Sequence, residues 1–163
     1  MTQTPSEVLR FRWLDAMLPD VPFDGWTEAT AARAAKQAGL SEGEQALAAP
    51  NGVPDLIDAF FDRAGQAARE ALADQDISAL KTPARVKAGV LAWLAALEPN
   101  REAVRRAAVR GLLPWGAASA VQRTWRIADM VWDEAGDTSE DYNRYSKRGL
   151  LAAVIPPIIM YWL

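Results

Sequence analysis

The 163-residue chain is half apolar, carries a net charge of −3, and has no cysteine and no histidine. Its length fits one ordinary domain, and the apolar half is enough to build a core. The absent residues exclude disulfides, thiolate chemistry and the commonest general base, and the acidic balance does not advertise a phosphate-binding protein.

Apolar residues recur at helical spacing, with almost no alternating β-branched runs, so the class is all-α. Ser6 reads as the N-cap of a first helix running to Leu18, with Leu9, Trp13, Ala16 and Met17 on one face and Pro19 and Pro22 ending it. Gly25 breaks a turn, Thr27 caps a second helix to Ala38, and Gly39 suits the residue just past its end. Ser41 opens a short third helix, and "AARAAKQAGLS" between the two has the small residues of a helix-turn-helix. After a loop over 49–55, a longer helix begins near Asp55, facing inward with Leu56, Phe60 and Ala64. Pro83 starts the next helix and Pro99 closes it.

Residues 100–112 form a basic amphipathic helix with Arg101, Arg105, Arg106 and Arg110, in which Glu102 can pair at i+3 and i+4. Its arginines form a solvated face or a patch for anionic lipid headgroups. "PWGAAS" breaks the chain and leaves Trp115 as a candidate pocket wall. A helix over 119–135 aligns Val121, Thr124, Trp125, Ala128 and Trp132, with both tryptophans expected in the core. Gly136 stops it, and Thr138-x-x-Asp141 resembles a capping box for the last helix. The charge-free run 149–163 is shorter than the roughly 18 residues a spanning helix needs and contains Pro156-Pro157, so it reads as a buried or membrane-surface helix. That makes about eight helices. No secretory signal or Arg-rich transit peptide is visible, so a mature cytoplasmic chain is expected, possible membrane association aside.

Several chemistries fail on inspection. Residues 40–62 hold Glu42, Glu44, Asp55, Asp58 and Asp62 with no Lys or Arg, a local charge of −5 that repels a duplex. Asp137, Ser139, Asp141 and Asn143 take alternate positions of a calcium loop, but Tyr142 replaces its glycine and Arg148 its bidentate glutamate. No metal site is expected. No nucleophile elbow, phosphate loop or singled-out carboxylate pair is present, so no catalytic residue is assigned and the chain is not expected to be an enzyme.

One block is specific. "GLLPWGAASAVQRTWRIADMVWDEAGDTSEDYNRYSKRGLLAAV" (111–154) resembles the lipid-binding accessory proteins of ubiquinone biosynthesis, the family of the ninth protein in the eukaryotic coenzyme Q set. The resemblance rests on Leu113-Pro114, Trp132, Ala135-Gly136-Asp137, Ser139, Asp141, Tyr142, Asn143, Tyr145, Ser146, Lys147 and Arg148, supported near the N-terminus by residues 21–41. Two positions depart: the family tryptophan before Tyr145 is Arg144, and the histidine common after Leu-Pro is Trp115.

The resemblance implies one TetR-regulator-like domain over 1–163, with a degenerate helix-turn-helix part at 6–50 and a lipid-binding and dimerisation part at 51–163. It implies a homodimer that does no chemistry and presents a polyprenyl intermediate to a di-iron hydroxylase. A bound lipid or isoprenoid takes the place of a cofactor, and no nucleic acid is bound. Peripheral membrane contact follows if a further C-terminal helix exists. The lipid site is expected at Leu113, Pro114, Trp115, Trp125, Leu150, Leu151, Val154 and Ile158, and the partner site at Asp129, Trp132, Asp141, Asn143, Arg144 and Tyr145. On the last helix, Asp141, Tyr145 and Arg148 are expected to share an exposed face, with Tyr142 turned to the apolar side. The alternative is a TetR-type, ligand-sensing DNA-binding regulator.

Overall fold

A computed structural model describes residues 2–163, and among them the fold is all-α. The helices are α1 (Pro5–Met17), α2 (Val21–Asp24), α3 (Glu28–Gln37), α4 (Glu42–Ala48), α5 (Val53–Ala73), α6 (Thr82–Leu97), α7 (Arg101–Gly111), α8 (Ala117–Glu134) and α9 (Asp141–Trp162). The described residues divide into two compact units. The first takes the chain through Asp62 together with Asn100–Gly116, and the second takes Arg63–Pro99 with Ala117–Leu163.

Most boundaries follow local chemistry. Thr27 caps α3 by accepting from the Thr30 amide, and Ser41 caps α4 in a full capping box with Glu44. The α3 helix closes with paired bonds, Leu40 N–H to Ala35 carbonyl at 2.9 Å and Gly39 N–H to Lys36 carbonyl at 3.1 Å. That closure needs a left-handed residue, and Gly39 supplies it at φ +68.

Three boundaries differ from expectation. Thr4, not Ser6, caps α1, because Glu7 lies at the third helical position and completes a capping box, with Pro5 in the first turn. Val21–Asp24 is helical, since Pro22 is tolerated in a first turn where its missing N–H has no partner to lose. α5 begins at Val53, which brings Pro54 into its first turn by the same rule.

In the first unit α1 packs against α3 and α4, and α2 against α7. Leu14, Met17, Val21, Leu56 and Val104 are fully buried, and Leu14 extends the face expected for α1. Two tryptophans are satisfied inside it: Trp13 Nε1 donates to the Ala31 carbonyl at 2.8 Å and Trp26 Nε1 to Ala103 at 2.9 Å. A short turn at Gly39 joins α3 to α4, and α4 has Glu42 and Glu44 in its first turn. A gel shift at physiological salt is therefore expected to show no duplex binding. Micromolar binding that weakens steeply with salt would return the chain to the regulators.

In the second unit α8 packs against α6 and α9. A methyl at Gly89 of α6 would sit 3.1 Å from Val131 Cγ1, so α6 and α8 cross closely there and an added side chain would press on Val131. The buried face of α8 is Arg123, Ile127, Ala128, Met130 and Val131. This corrects the expected stripe: Val121 is 69% exposed, and Trp125 and Trp132 lie on the side turned to α9 rather than in the core. The inward face is instead set by Ile127, Met130 and Val131, spaced three and four apart. α9 runs unbroken through Pro156 and Pro157, so the pair does not interrupt it. No helix among the described residues is long and apolar enough to cross a membrane.

Candidate functional site

Charge spacing builds the α8–α9 pairing. Asp129, Asp133 and Asp137 follow one another at intervals of four, the distance that stacks side chains on one helical face. α8 ends before the third of them. The register is carried past the helix end by the same paired closure seen after α3, Asp137 N–H to Trp132 carbonyl and Gly136 N–H to Asp133 carbonyl, both 3.0 Å, with Gly136 at φ +79. Arg144, Lys147 and Arg148 answer from the first turns of α9, again at spacings of three and four.

Arg148 is the centre of the resulting clamp and only 1% exposed. Its Nη1 donates to Asp137 Oδ2 and its Nη2 to Asp133 Oδ1, both at 2.8 Å, while its Nε donates to Asp129. A planar guanidinium can serve three carboxylates at once, which an ammonium cannot. Arg144 Nη2 reaches Asp129 Oδ1 at 3.2 Å, and Lys147 Nζ reaches Asp137 Oδ1 at 2.9 Å. Three cations thus face three anions. Trp132 ties the backbone in by donating to the Lys147 carbonyl at 3.1 Å, with the Lys147 ammonium 5.4 Å from its ring centre.

Asp137 has only 5% of its side chain exposed. The Ser139 hydroxyl, donating at 2.6 Å, together with Lys147 and Arg148 holds its carboxyl well below the usual carboxylate range, against the effect of burial. Burial alone lowers the Arg148 pKa, but the hydrogen bonds it donates to Asp137, Asp129 and Asp133 more than offset it and raise it overall. A depressed folded-state pKa contributes stability that is present above the unfolded value of 3.8 and is lost as pH falls below it. The melting temperature is accordingly expected to stay level down to about pH 5 and to fall below about pH 4. Asp137→Asn should flatten that acid limb. An unchanged limb in this variant would remove Asp137 from the account.

This geometry redistributes the expected partner residues. Asp141, Asn143 and Tyr145 are exposed, Tyr145 by 63%, and Arg144 and Trp132 are half-buried in the clamp. Tyr145 stacks on Trp125 at 6.5 Å between ring centres, and Trp125 lies across Gly149, 3.8 Å from where a methyl there would be. Arg148 does not share their exposed face: three carboxylates draw it under α9. Tyr142 is 81% exposed, not turned to the apolar side, because the clamp takes the inward positions of this turn. Thr138 is not the cap either. Glu140 is the N-cap and makes no side-chain cap bond, and Asp141 begins the helix at φ +58, outside the geometry a box from Thr138 requires. Asp133 was missed from the sequence, although its spacing from Asp129 and Asp137, set against a nearby Arg-x-x-Lys-Arg, was a readable signal.

The expected lipid residues are divided. Leu113, Pro114 and Trp115 fall in the first unit, and Trp125, Leu150, Leu151, Val154 and Ile158 in the second. Leu150 is 71% and Val154 50% exposed, Leu151 and Ile158 are half-buried, and of residues 149–163 only Ile155 is fully buried. The charge-free run therefore presents an open apolar face, where a core helix would be covered.

The family model described as COQ9 matches residues 117–163, the segment that holds α8, the clamp and α9. The human "Ubiquinone biosynthesis protein COQ9, mitochondrial" is 30% identical over 156 residues, covering 91% of this chain and 49% of that protein. This chain is similar to the COQ9 proteins. The proteins of the same name from Rattus norvegicus and Bos taurus are each 28% identical over 156 residues. The chain spans about half the length of these COQ9 relatives. The family resemblance read from residues 111–154 is borne out, and the matched segment contains every residue of the clamp.

Proposed function

We propose that this chain acts in ubiquinone biosynthesis as an accessory protein that does no chemistry itself. In this reading it is a lipid-binding homodimer that holds a polyprenyl intermediate and presents it to a hydroxylase. The observation that carries the pathway assignment is the 30% identity to human COQ9 over 91% of the chain. The finer reading is supported by the division of labour along one motif. Asp137, Ser139, Lys147 and Arg148 turn inward and fasten α9, which leaves Asp141, Asn143 and Tyr145 displayed on a fixed backbone. The open apolar face of α9 at Leu150 and Val154 supports the lipid and dimer readings. Arg144, where the family has tryptophan, keeps this turn anchored through Asp129.

Two measurements test this. Native mass spectrometry of gently purified protein should show a co-purified lipid. Tyr145→Lys should weaken capture of the cognate hydroxylase roughly thirtyfold, the loss typical of an aromatic anchor at an interface. Tyr145 is 63% exposed, so the melting curve should hardly move. Unchanged capture, or a sharp drop in melting temperature, would make the segment structural and end the recognition claim.

A further inference from the structure

The α7 helix separates its residues by chemistry both around and along its axis. Ala103, Val104 and Ala107 are buried in the first unit. On the opposite face, at helical spacings of four, four and three, come Arg101, Arg105, Val109 and Leu112, all exposed. The N-terminal half of that face is cationic and the C-terminal end is apolar: Val109 is 58% exposed, Leu112 80% and, in the turn that follows, Trp115 69%. Four arginines against the single Glu102 give α7 a positive charge in a chain whose net charge is −3.

The apolar end is a built feature. Leu113 N–H bonds to the Arg110 carbonyl at 3.2 Å and Gly116 N–H to the Leu113 carbonyl at 2.9 Å. The turn folds back so tightly that a methyl on Gly116 would lie 2.2 Å from the Arg110 oxygen. Beside it, Arg106 donates to the Pro22 carbonyl at 3.0 Å and Arg110 to the Trp26 carbonyl at 3.0 Å. These bonds fasten α2 against α7 and hold Phe23, 79% exposed, next to the same helix. Phe23, Leu112 and Trp115 are thus large apolar side chains held out in water by hydrogen-bonded backbone, close to a row of arginines.

We infer that this face of α7 and its Leu112–Trp115 turn docks on an anionic bilayer. Arg101 and Leu112 are eleven residues apart, about 16 Å along the axis. A helix lying oblique to the surface would set Arg101 and Arg105 among headgroups and push Leu112 and Trp115 into the interfacial layer, where tryptophan is favoured. Arg105 pairs with Glu102 at 2.5 Å, an exposed i, i+3 contact weak enough for a headgroup phosphate to compete with it. The occupant is a bilayer rather than a protein groove because charge and apolar bulk are graded along one axis, matching a headgroup layer over an acyl layer. This inference rests on the first unit alone and does not depend on a lipid being held in the second.

Co-sedimentation of the full chain with phosphatidylcholine vesicles, with and without phosphatidylserine, tests it. Binding is expected only with the anionic lipid and should weaken with salt. Arg101→Gln with Arg105→Gln should reduce it on the order of twentyfold, at about fivefold for each arginine near the surface, and Lys at both positions should retain it. Leu112→Ser with Trp115→Ser should abolish it. Because all four side chains are exposed, the melting curves should stay together. Equal binding to neutral vesicles, no binding by the wild-type chain, or wild-type behaviour of either double variant overturns the inference. So does self-association through this face with no vesicle binding. Hydroxylase capture by these variants should be normal, which separates this result from the Tyr145 test.

Discussion

Arg148→Met is expected to lower the melting temperature on the order of 10 °C. Removing one partner of a buried ion cluster costs about 3–5 kcal/mol, because the remaining charges stay desolvated. Each kcal/mol is worth about 2–4 °C for a chain of this size. The lower end applies here. Asp129 and Asp133 have 36% and 45% of their side chains exposed and can take water in place of the guanidinium, whereas Asp137 at 5% cannot. Most of the loss should therefore trace to Asp137, and adding Asp137→Asn to Arg148→Met should recover part of it. Arg148→Lys should not rescue, since one ammonium cannot span three carboxylates. A melting curve unchanged in Arg148→Met would mean that α9 is held by its apolar contacts and that the clamp is incidental.

The second large effect is expected at Trp26. Its side chain is 3% exposed, its ring lies 5.6 Å from that of Phe60, and its indole N–H reaches the Ala103 carbonyl in α7. Trp26→Ala should cost about 3–5 kcal/mol, as removal of a buried tryptophan does. Trp26→Phe keeps a ring against Phe60 and loses the hydrogen bond, so it should cost less. The control is Trp115→Ala, 69% exposed, which should stay within about 0.5 kcal/mol. Urea titrations of the three variants check the order. If Trp115→Ala proves as costly as Trp26→Ala, the exposed turn described for α7 is wrong.

What could be read from the sequence was what neighbours in the chain decide. Thr27, Ser41, Gly39 and Gly136 act on residues within a turn of themselves, and each stands where its local chemistry placed it. The errors came where distant residues decide. Thr138-x-x-Asp141 had the spacing of a cap, but Lys147 and Arg148, nine and ten residues beyond Thr138, hold Asp137 and set the backbone after it in another geometry. Val121, Trp125 and Trp132 made a tidy apolar stripe on α8. The face that packs inward is nevertheless the one with Ile127, Met130 and Val131, which helical periodicity alone could not rank above it. Arg148 fell on a plausible surface stripe, and only the carboxylate row on the preceding helix shows why it is buried. The candidate site was thus legible as a motif, while its split into inward fasteners and outward display was not.

Pro156 and Pro157 sit inside α9 and bring no amide hydrogens, so the carbonyls of Ala152 and Ala153, four residues back, receive none from the ladder. On one side of this gap α9 is bolted by the clamp. On the other, Trp162 Nε1 holds Glu98 at 3.0 Å. The helix is a beam pinned at both ends with its weakest section between the pins. Load applied at the C-terminal end is taken up at the proline pair before it reaches Arg148. In hydrogen-exchange terms, the amides of residues 158–162 should open on their own schedule, well before those of the turns around Arg148.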